Sequence, residues 1–208
     1  MPSAEPAGPG PPAAPGLRQR ALPRFRPTGE SLIHQGWAIS VHRATFVDPD
    51  GVAFERDVVR HPGAVAVVAI TEHHSVVLVH QYRPAVDQWV MEVPAGTCDV
   101  PGEPTDRTAH RELAEEAGYA AGRLTLLTRC LITPGFCDEV SAVYLATDLR
   151  PVPVDRQGIE EGYLEVVEVP LSRFDGLVDD GTVVDATTIL GVGLARRRLG
   201  APSAAPPP

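Results

Sequence analysis

Three glutamates could carry chemistry, because Glu115 and Glu116 follow Glu112 by three and four residues in a segment predicted to be helical. Residues at this spacing share one helix face, so the three carboxylates are expected to project to the same side. Crowded carboxylates repel one another unless a cation joins them. Mg²⁺ or Mn²⁺ suits this role, since hard cations prefer carboxylate oxygens and leave positions for water and phosphate. Taken alone, the pattern is more typical of a solvated acidic helix face.

The helix that carries these glutamates is predicted to begin after Pro104. Thr105 or Asp106 can cap its first turn, and Gly118 stands where a left-handed C-cap belongs. Its buried stripe is predicted from apolar residues that recur every four positions, which are Ala109, Leu113 and Ala117.

The rest of the chain has mostly strand-like patterns, separated by turn residues. Strands are predicted over 37–47, 52–60, 64–71, 75–82, 89–93, 123–132, 140–147 and 164–170. The first two are expected to form a hairpin around the turn at 48–51. Further helices are predicted near Ser172 and over 185–199. Strands outnumber helices and hairpins recur, so the fold class is α+β.

Composition excludes several classes of protein. The chain has 208 residues and a net charge of −9, and all 18 basic residues are arginine. An acidic balance argues against a partner held by a broad basic face, so no nucleic acid is expected. The longest purely apolar run, 64–70, is far shorter than the roughly 20 residues that span a bilayer, so no membrane partner is expected.

The ends of the chain are rich in Ala, Pro and Gly, and residues 1–20 and 201–208 are predicted to be disordered tails. The first residues lack a basic leader and an apolar core, so no secretory signal is expected. The three cysteines cannot all pair and show no C-x-x-C spacing. A cytoplasmic protein with free thiols is the simplest interpretation.

The residues around the three glutamates form a longer pattern over 96–119. It reads Gly, six residues, Glu, seven residues, Arg-Glu-Leu, one residue, Glu-Glu, one residue, Gly-Tyr. This stretch resembles the signature of the Nudix hydrolases, which differs only in a first spacer of five residues. An insertion in the loop before the helix is expected to leave the helical carboxylates undisturbed.

Three further segments resemble the ADP-ribose pyrophosphatase branch of this family. They are 81–84 (QYRP), 89–96 (WVMEVPAG) and 134–136 (PGF), with Pro134 fifteen residues after Tyr119. The resemblance implies a Nudix fold, a mixed β-sheet sandwiched between helices, over residues 63–200. It also implies that an N-terminal β-hairpin segment, residues 21–62, helps to build a homodimer whose subunits share active sites.

The resemblance implies a role for each matching residue of the metal site. Glu112, Glu115 and Glu116 would hold Mg²⁺ or Mn²⁺ together with the backbone carbonyl of Ala95. Arg111 would orient the carboxylates. Gly96 and Glu103 would support the site from outside the ligand set.

The resemblance also implies a general base on a loop after the signature. The segment 150–162 contains prolines, a glycine and polar residues, and it delivers two adjacent carboxylates. Glu161 is the predicted base and Glu160 the substitute, with Glu116 as the metal-binding carboxylate that acts beside them. An ordinary solvated acidic loop is the alternative interpretation.

The substrate-binding residues follow from the same resemblance. Arg83 would bind the substrate diphosphate, with a structural ion pair as the alternative. Arg56 and Arg60 could reach the substrate of a partner subunit. Trp37 would stack on adenine or belong to the core. Glu139 would contact the terminal ribose.

The implied reaction is the metal-dependent hydrolysis of ADP-ribose to AMP and ribose 5-phosphate. Two alternatives remain open at this point. The first is the same chemistry on another nucleoside diphosphate derivative, such as a sugar nucleotide, NADH or FAD. The second is a non-catalytic Nudix-like ligand sensor, which is disfavoured because every carboxylate of the signature is present.

Overall fold

The computed structural model describes residues 22–156, 159 and 161–200. The predicted tails, 1–20 and 201–208, therefore lie outside the described residues, as does Glu160. Within the described part, strands predominate over helices and form two separate sheets. The α+β fold class is confirmed.

A three-stranded antiparallel sheet occupies the N-terminal part of the described chain. It contains β1 (Arg26–Gln35), β2 (Ser40–Val47) and β3 (Ala53–Arg60), in that order. The predicted hairpin is present as β2 and β3, whereas β1 was not predicted. Every residue of β1 is exposed, so the strand lacks the alternation of buried and exposed residues by which strands are recognised in a sequence.

The second sheet has seven strands and forms the centre of the fold. Its strands are β4 (Ala64–Ile70), β5 (Ser75–Arg83), β6 (Gln88–Glu92), β7 (Ala95–Thr97), β8 (Tyr119–Leu131), β9 (Val140–Pro151) and β10 (Glu165–Pro170). The order is β10-β5-β4-β9-β8, while β6 pairs with β5 and β7 pairs with β4. Since β4 and β9 are parallel and the other pairs antiparallel, the sheet is mixed.

Helices cover both faces of this sheet. They are α1 (Thr105–Ala117), α2 (Phe174–Asp179) and α3 (Ala186–Leu199). Alternate residues of β4 point to opposite faces, so Val65 and Val67 pack in the core layer of α1, whereas Val68 packs in the layer of α3. The expected mixed sheet sandwiched between helices is confirmed.

The C-terminal end of α1 matches the prediction, whereas the N-terminal end does not. Gly118 adopts φ 71° and its backbone N–H bonds back to the carbonyl of Ala114, which confirms the left-handed C-cap. The predicted cap by Thr105 or Asp106 is wrong, because Pro104 occupies the N-cap position and none of the described side chains caps the first turn. The Thr105 hydroxyl instead lies 2.6 Å from the hydroxyl of Tyr144 on β9.

The other predicted helices are present. Asp185 caps α3, since its carboxylate accepts a hydrogen bond from the backbone N–H of Thr188 at 2.7 Å. The Thr188 hydroxyl in turn accepts from the backbone N–H of Val93, which ties α3 to the segment that links β6 and β7. Among the described residues, none of the helices has the length and apolar character needed to cross a membrane.

Candidate active site

The second half of α1 lies against β7, and this contact brings carboxylates next to backbone. Glu116 accepts a hydrogen bond from the backbone N–H of Ala95 at 2.9 Å. Glu112 is 8% exposed and Glu116 only 3% exposed. A solvated acidic face is therefore the wrong interpretation for these two residues, whereas Glu115 is half-buried.

Gly96 allows the Glu112 carboxyl group to approach the backbone of β7. A Cβ atom at position 96 would lie 2.0 Å from the Cδ atom of Glu112 and 2.2 Å from its nearer oxygen. No side chain can occupy that position without moving Glu112. The absence of a side chain at Gly96 thus leaves space for the Glu112 carboxyl group, whose oxygens lie beside the Ala95–Gly96 backbone.

Arg111 holds the acidic side chains of this region together. Its Nη1 atom lies 2.7 Å from Glu112 and 3.1 Å from Glu115, while Nη2 lies 3.5 Å from Glu103. Glu103 also accepts a hydrogen bond from the Thr108 hydroxyl at 2.9 Å. The longer first spacer of the signature therefore leaves Glu103 in contact with α1.

Burial raises the pKa of the carboxyl groups of Glu112 and Glu116. Loss of solvent raises the pKa of Glu112 to about 7, although neighbouring Arg111 opposes the shift. The same cause raises the pKa of Glu116 to about 8, against the stabilising hydrogen bond from Ala95. The negative charge of Glu161 raises the pKa of both groups further. Ionisation of these carboxyl groups is therefore unfavourable, and a nearby cation would stabilise their ionised forms.

The donor set has the chemistry of a site for a hard divalent cation. It consists of carboxylate groups whose ionised forms are disfavoured by burial and mutual repulsion, beside the half-buried strand β7. No group of three acidic, His or Cys side chains is already arranged around one point in the described parts of the chain. Arg111 contacts Oε1 of Glu112 and Oε2 of Glu115, and each of these carboxylates has a second oxygen that could bind an ion.

Glu161 belongs to the same electrostatic environment as the helical glutamates. It begins a 3₁₀ turn, Glu161–Tyr163, and its charge acts on both Glu112 and Glu116. The predicted loop starts later than expected, because β9 continues to Pro151. The structure thus places Glu161 within electrostatic range of Glu112 and Glu116.

A polar cavity of about 320 Å³ opens beside β7, between β4, β9 and the start of α3. Arg83 and Glu139, both predicted to bind substrate, line it together with Ala95 and Gly96. Arg83 also forms the ion pair of the alternative interpretation, with Glu92. Four sequence-predicted residues therefore meet in one cavity.

The other predicted substrate residues lie on the three-stranded sheet, outside this cavity. Arg56 stacks over the ring of Phe54, with its Cζ atom 4.8 Å from the ring centre, and lines a separate aromatic groove. Arg60 pairs with Glu30 and, at 3.0 Å, with Asp138 of its own chain. Trp37 is 97% exposed in the turn between β1 and β2, so its interpretation as a core residue is wrong.

Two acidic residues of the cavity were not predicted from the sequence. They are Glu92 on β6 and Asp185 at the start of α3. Glu92 had a detectable signal, because a carboxylate in an apolar strand needs a buried partner. Asp185 was recognised only as the start of a helix, and nothing in its sequence surroundings indicates a cavity.

Comparison with known proteins relates this geometry to a family. Residues 60–185 match the NUDIX domain. The chain is 38% identical over 160 residues to the ADP-ribose pyrophosphatase of Bacillus subtilis (strain 168), covering 77% of this chain and 86% of that protein. It is 36% identical over 168 residues to the ADP-ribose pyrophosphatase of Mycobacterium tuberculosis (strain ATCC 25618 / H37Rv), covering 81% of each.

A solved structure described as an ADP compounds hydrolase has the same fold. It superposes with a TM-score of 0.76 at 22% identity and covers 88% of this chain and 97% of that one. At this level of identity the likeness concerns the fold alone.

Proposed function

This chain belongs to the Nudix hydrolase family, and we propose that it hydrolyses the diphosphate of ADP-ribose to AMP and ribose 5-phosphate. The observation that carries the proposal is the meeting of Glu112 and Glu116 with the Ala95–Gly96 backbone at a cavity that contains Arg83. The two relatives compared above are both ADP-ribose pyrophosphatases.

The cation of this reaction is proposed to be Mg²⁺ or Mn²⁺, held by Glu112, Glu115, Glu116 and the carbonyl oxygen of Ala95. Such a cation neutralises phosphate charge and lowers the pKa of a coordinated water molecule. Arg111 contacts two of the three carboxylates and would orient them, with Glu103 fixing Arg111 from the other side. Gly96 supports the site by leaving room for Glu112.

Glu161 is the proposed general base. Its charge acts on Glu112 and Glu116, which supports a place beside the metal-binding carboxylates, where it would take a proton from a water molecule. Its position in a turn after β9, rather than in the sheet, suits a residue that moves when substrate binds. Glu160 is the substitute for this role.

The cavity residues are proposed to bind the substrate. The Arg83 guanidinium matches the geometry of phosphate oxygens and would hold the diphosphate. Glu139 lines the same cavity and would accept hydrogen bonds from hydroxyl groups of the terminal ribose. The phosphoanhydride would then lie between Arg83 and the carboxylates of α1.

The three-stranded sheet is proposed to be the dimerisation segment, corresponding to residues 21–62, with the catalytic domain over 63–200. It exposes apolar side chains, among them Leu32, Ile33 and Trp37. Burial of Trp37 against a partner subunit or against adenine would account for its exposure in the single chain. Arg56, on the same sheet, would then reach a shared site, and Arg60 would do so only after leaving its two acidic partners.

We also place the reaction in the cytoplasm. Three cysteines cannot all pair within one chain, and Cys98, Cys130 and Cys137 are free thiols. Free thiols fit a reducing compartment.

One assay tests the proposed reaction. The full-length protein is incubated with Mg²⁺ in ¹⁸O-labelled water and a panel of ADP-ribose, a sugar nucleotide, NADH and FAD, and the labelled products are identified by mass spectrometry. ADP-ribose is expected to give AMP and ribose 5-phosphate, with the highest kcat/KM of the panel. Preference for another member would change the substrate but keep the chemistry. Absence of cleavage with both Mg²⁺ and Mn²⁺, together with retained ligand binding, would favour a sensor.

A further inference from the structure

Arg83 and Glu92 form a buried side-by-side ion pair at the cavity. The Nε atom of Arg83 donates to both oxygens of Glu92, at 3.1 and 3.0 Å, and Nη2 donates to one of them as well. Glu92 is only 8% exposed, whereas Arg83 is half-buried. The two residues lie on neighbouring strands, β5 and β6, which fixes the distance between their backbones.

This geometry engages one edge of the guanidinium and leaves another available. A guanidinium carries five N–H groups in a planar fork and can bind an oxyanion through two adjacent nitrogens. Glu92 engages the Nε–Nη2 edge. Within the part of the chain that the structure describes, Nη1 forms no hydrogen bond. The Nη1–Nη2 edge of a residue that lines the cavity is therefore still able to bind a ligand.

Other carboxylates compete for the same guanidinium. Glu92 raises the pKa of Arg83 most, and the charges of Glu116 and Asp185 add to this effect. Without Glu92, Arg83 would be drawn toward one of these two groups. Contact with Glu116 would occupy donors of the guanidinium that would otherwise bind a phosphate. Glu92 thus determines which way the guanidinium points.

We propose that Glu92 is a positioning residue, which holds Arg83 by its Nε–Nη2 edge so that the Nη1–Nη2 edge binds the diphosphate of the nucleotide substrate. This inference rests on the proposed function, since it assumes that the cavity receives a nucleoside diphosphate. It adds a residue that acts through Arg83 and that touches neither substrate nor metal.

Steady-state kinetics on ADP-ribose with saturating Mg²⁺ test the role. Glu92→Gln keeps the side-chain volume but loses the charge that holds the guanidinium. The KM is expected to rise about tenfold or more, the range for loss of a hydrogen bond to a charged group, with a smaller change in kcat. In an Arg83→Ala background the same substitution is expected to change KM less than about twofold, because Glu92 acts only through Arg83.

A matched substitution and the comparison of the two Arg83 backgrounds separate positioning from general damage. Glu168→Gln makes the same chemical change in an exposed carboxylate that bonds the Tyr119 hydroxyl on the same sheet, and it is expected to leave KM unchanged. An equal rise in KM in both Arg83 backgrounds would overturn the proposal, because it indicates a structural effect. An unchanged KM in Glu92→Gln would overturn it as well.

A measurement on the unsubstituted protein keeps the proposal testable if Glu92→Gln does not fold. The Arg83 Nε–H resonance is followed by ¹⁵N NMR as a non-hydrolysable methylene analogue of ADP-ribose is added. The Nε–H proton of Arg83 is expected to exchange slowly with solvent, both in the free protein and in the complex, because Glu92 holds it. Loss of its protection on binding would mean that Arg83 leaves Glu92 to bind the ligand, which overturns the proposal. Lack of turnover by the unsubstituted protein would count against the proposed function instead.

Discussion

The carboxyl group of Glu112 lies directly against the Cα atom of Gly96, on the strand that faces α1. A Cβ atom at position 96 would come within 2.0 to 2.4 Å of all three atoms of that carboxyl group. Real side chains cannot approach so closely, so any larger residue must displace Glu112. The glycine is therefore part of the arrangement that places the carboxylate beside the backbone of Ala95.

Gly96→Ala is expected to lower kcat on ADP-ribose by about 100-fold, the effect of misplacing a catalytic group by about 1 Å. The measurement is steady-state turnover together with the Mg²⁺ concentration at half-maximal activity, which is expected to rise. Gly176→Ala, in α2, is the control because a Cβ atom there meets nothing within 4 Å. Equal activity of both variants would show that the position of Glu112 does not matter for turnover.

Substitutions of Glu112 and Glu161 should separate the metal ligand from the base. Glu112→Gln is expected to abolish turnover through loss of the cation. Glu161→Gln is expected to lower kcat by about 10²–10⁴-fold while metal affinity stays within a few-fold, because general base catalysis contributes in that range. Turnover and Mn²⁺ affinity, measured by calorimetry, provide the two readouts.

Glu160→Gln is the matched control for Glu161, since it changes the neighbouring carboxylate in the same way. It is expected to retain most of the activity. A weakened Mn²⁺ affinity in Glu161→Gln would place Glu161 among the metal ligands. A larger loss of kcat in Glu160→Gln than in Glu161→Gln would exchange their roles.

Metal-free protein is expected to lose stability as the pH rises. Burial raises the folded-state pKa of Glu112 to about 7 and of Glu116 to about 8, from 4.5 for an ordinary glutamate. The folded state therefore binds more protons than the unfolded state between about pH 4.5 and 8. The stabilisation from protonation is present below pH 4.5 and is lost as the pH passes through the two raised pKa values.

Thermal unfolding in a chelator at pH 6 and at pH 8.5 measures this effect. The Tm of the unsubstituted protein is expected to fall by several degrees more than that of Glu116→Gln, which cannot ionise at this position. Addition of Mg²⁺ at pH 8.5 should recover part of the loss by binding the ionised carboxylates. An equal fall in Tm for the two proteins would contradict the prediction, because it would show that ionisation of Glu116 does not lower the stability.

The centre of the site was predictable because it is local in sequence. Glu112, Glu115 and Glu116 share one helix face whatever the rest of the chain does, and the pattern of Ala109, Leu113 and Ala117 fixes which side of α1 is buried. The burial of Glu112 and Glu116 themselves was not predictable. It depends on β7, a three-residue strand that pairs with β4.

The parts that escaped prediction depend on contacts between distant residues. Strand β1 is exposed along its whole length, so nothing in its apolar pattern marks it. The ion pairs of Arg60 with Glu30 and Asp138 were likewise not predicted, because these partners lie 30 and 78 positions away in the sequence. Spacing along a helix or strand does not reveal such partners.

Trp37 is expected to contribute to association between subunits. It is 97% exposed, and Leu32 and Ile33 of the adjoining strand are also exposed. Trp37→Ala should raise the dimer dissociation constant by about tenfold or more, as for a large aromatic side chain at an interface. Light scattering over a concentration series measures this shift. Trp89→Ala is the control, since Trp89 packs on His80 and Tyr82 of its own chain. A monomeric unsubstituted protein would contradict the proposed dimer.

Close packing between α3 and the sheet gives a final prediction, on stability. A Cβ atom at Gly191 would lie 2.8 Å from a methyl group of Val68 and 3.2 Å from one of Val143, and both valines are fully buried. Gly191→Ala forces the helix away from the sheet, which is expected to cost about 1–3 kcal/mol despite the better helix propensity of alanine. Each kcal/mol corresponds to about 2–4 °C in Tm for a domain of this size.

Gly193→Ala provides the matched comparison, two residues further along the same helix. A Cβ atom there meets nothing within 4 Å, so only the propensity gain of up to about 1 kcal/mol remains and the Tm is expected to rise. The Tm values of the two variants and of the unsubstituted protein, measured by thermal unfolding, test this prediction. If both substitutions raise the Tm, then α3 can withdraw from Val68 at little cost, and the contact at Gly191 does not limit how closely the helix packs.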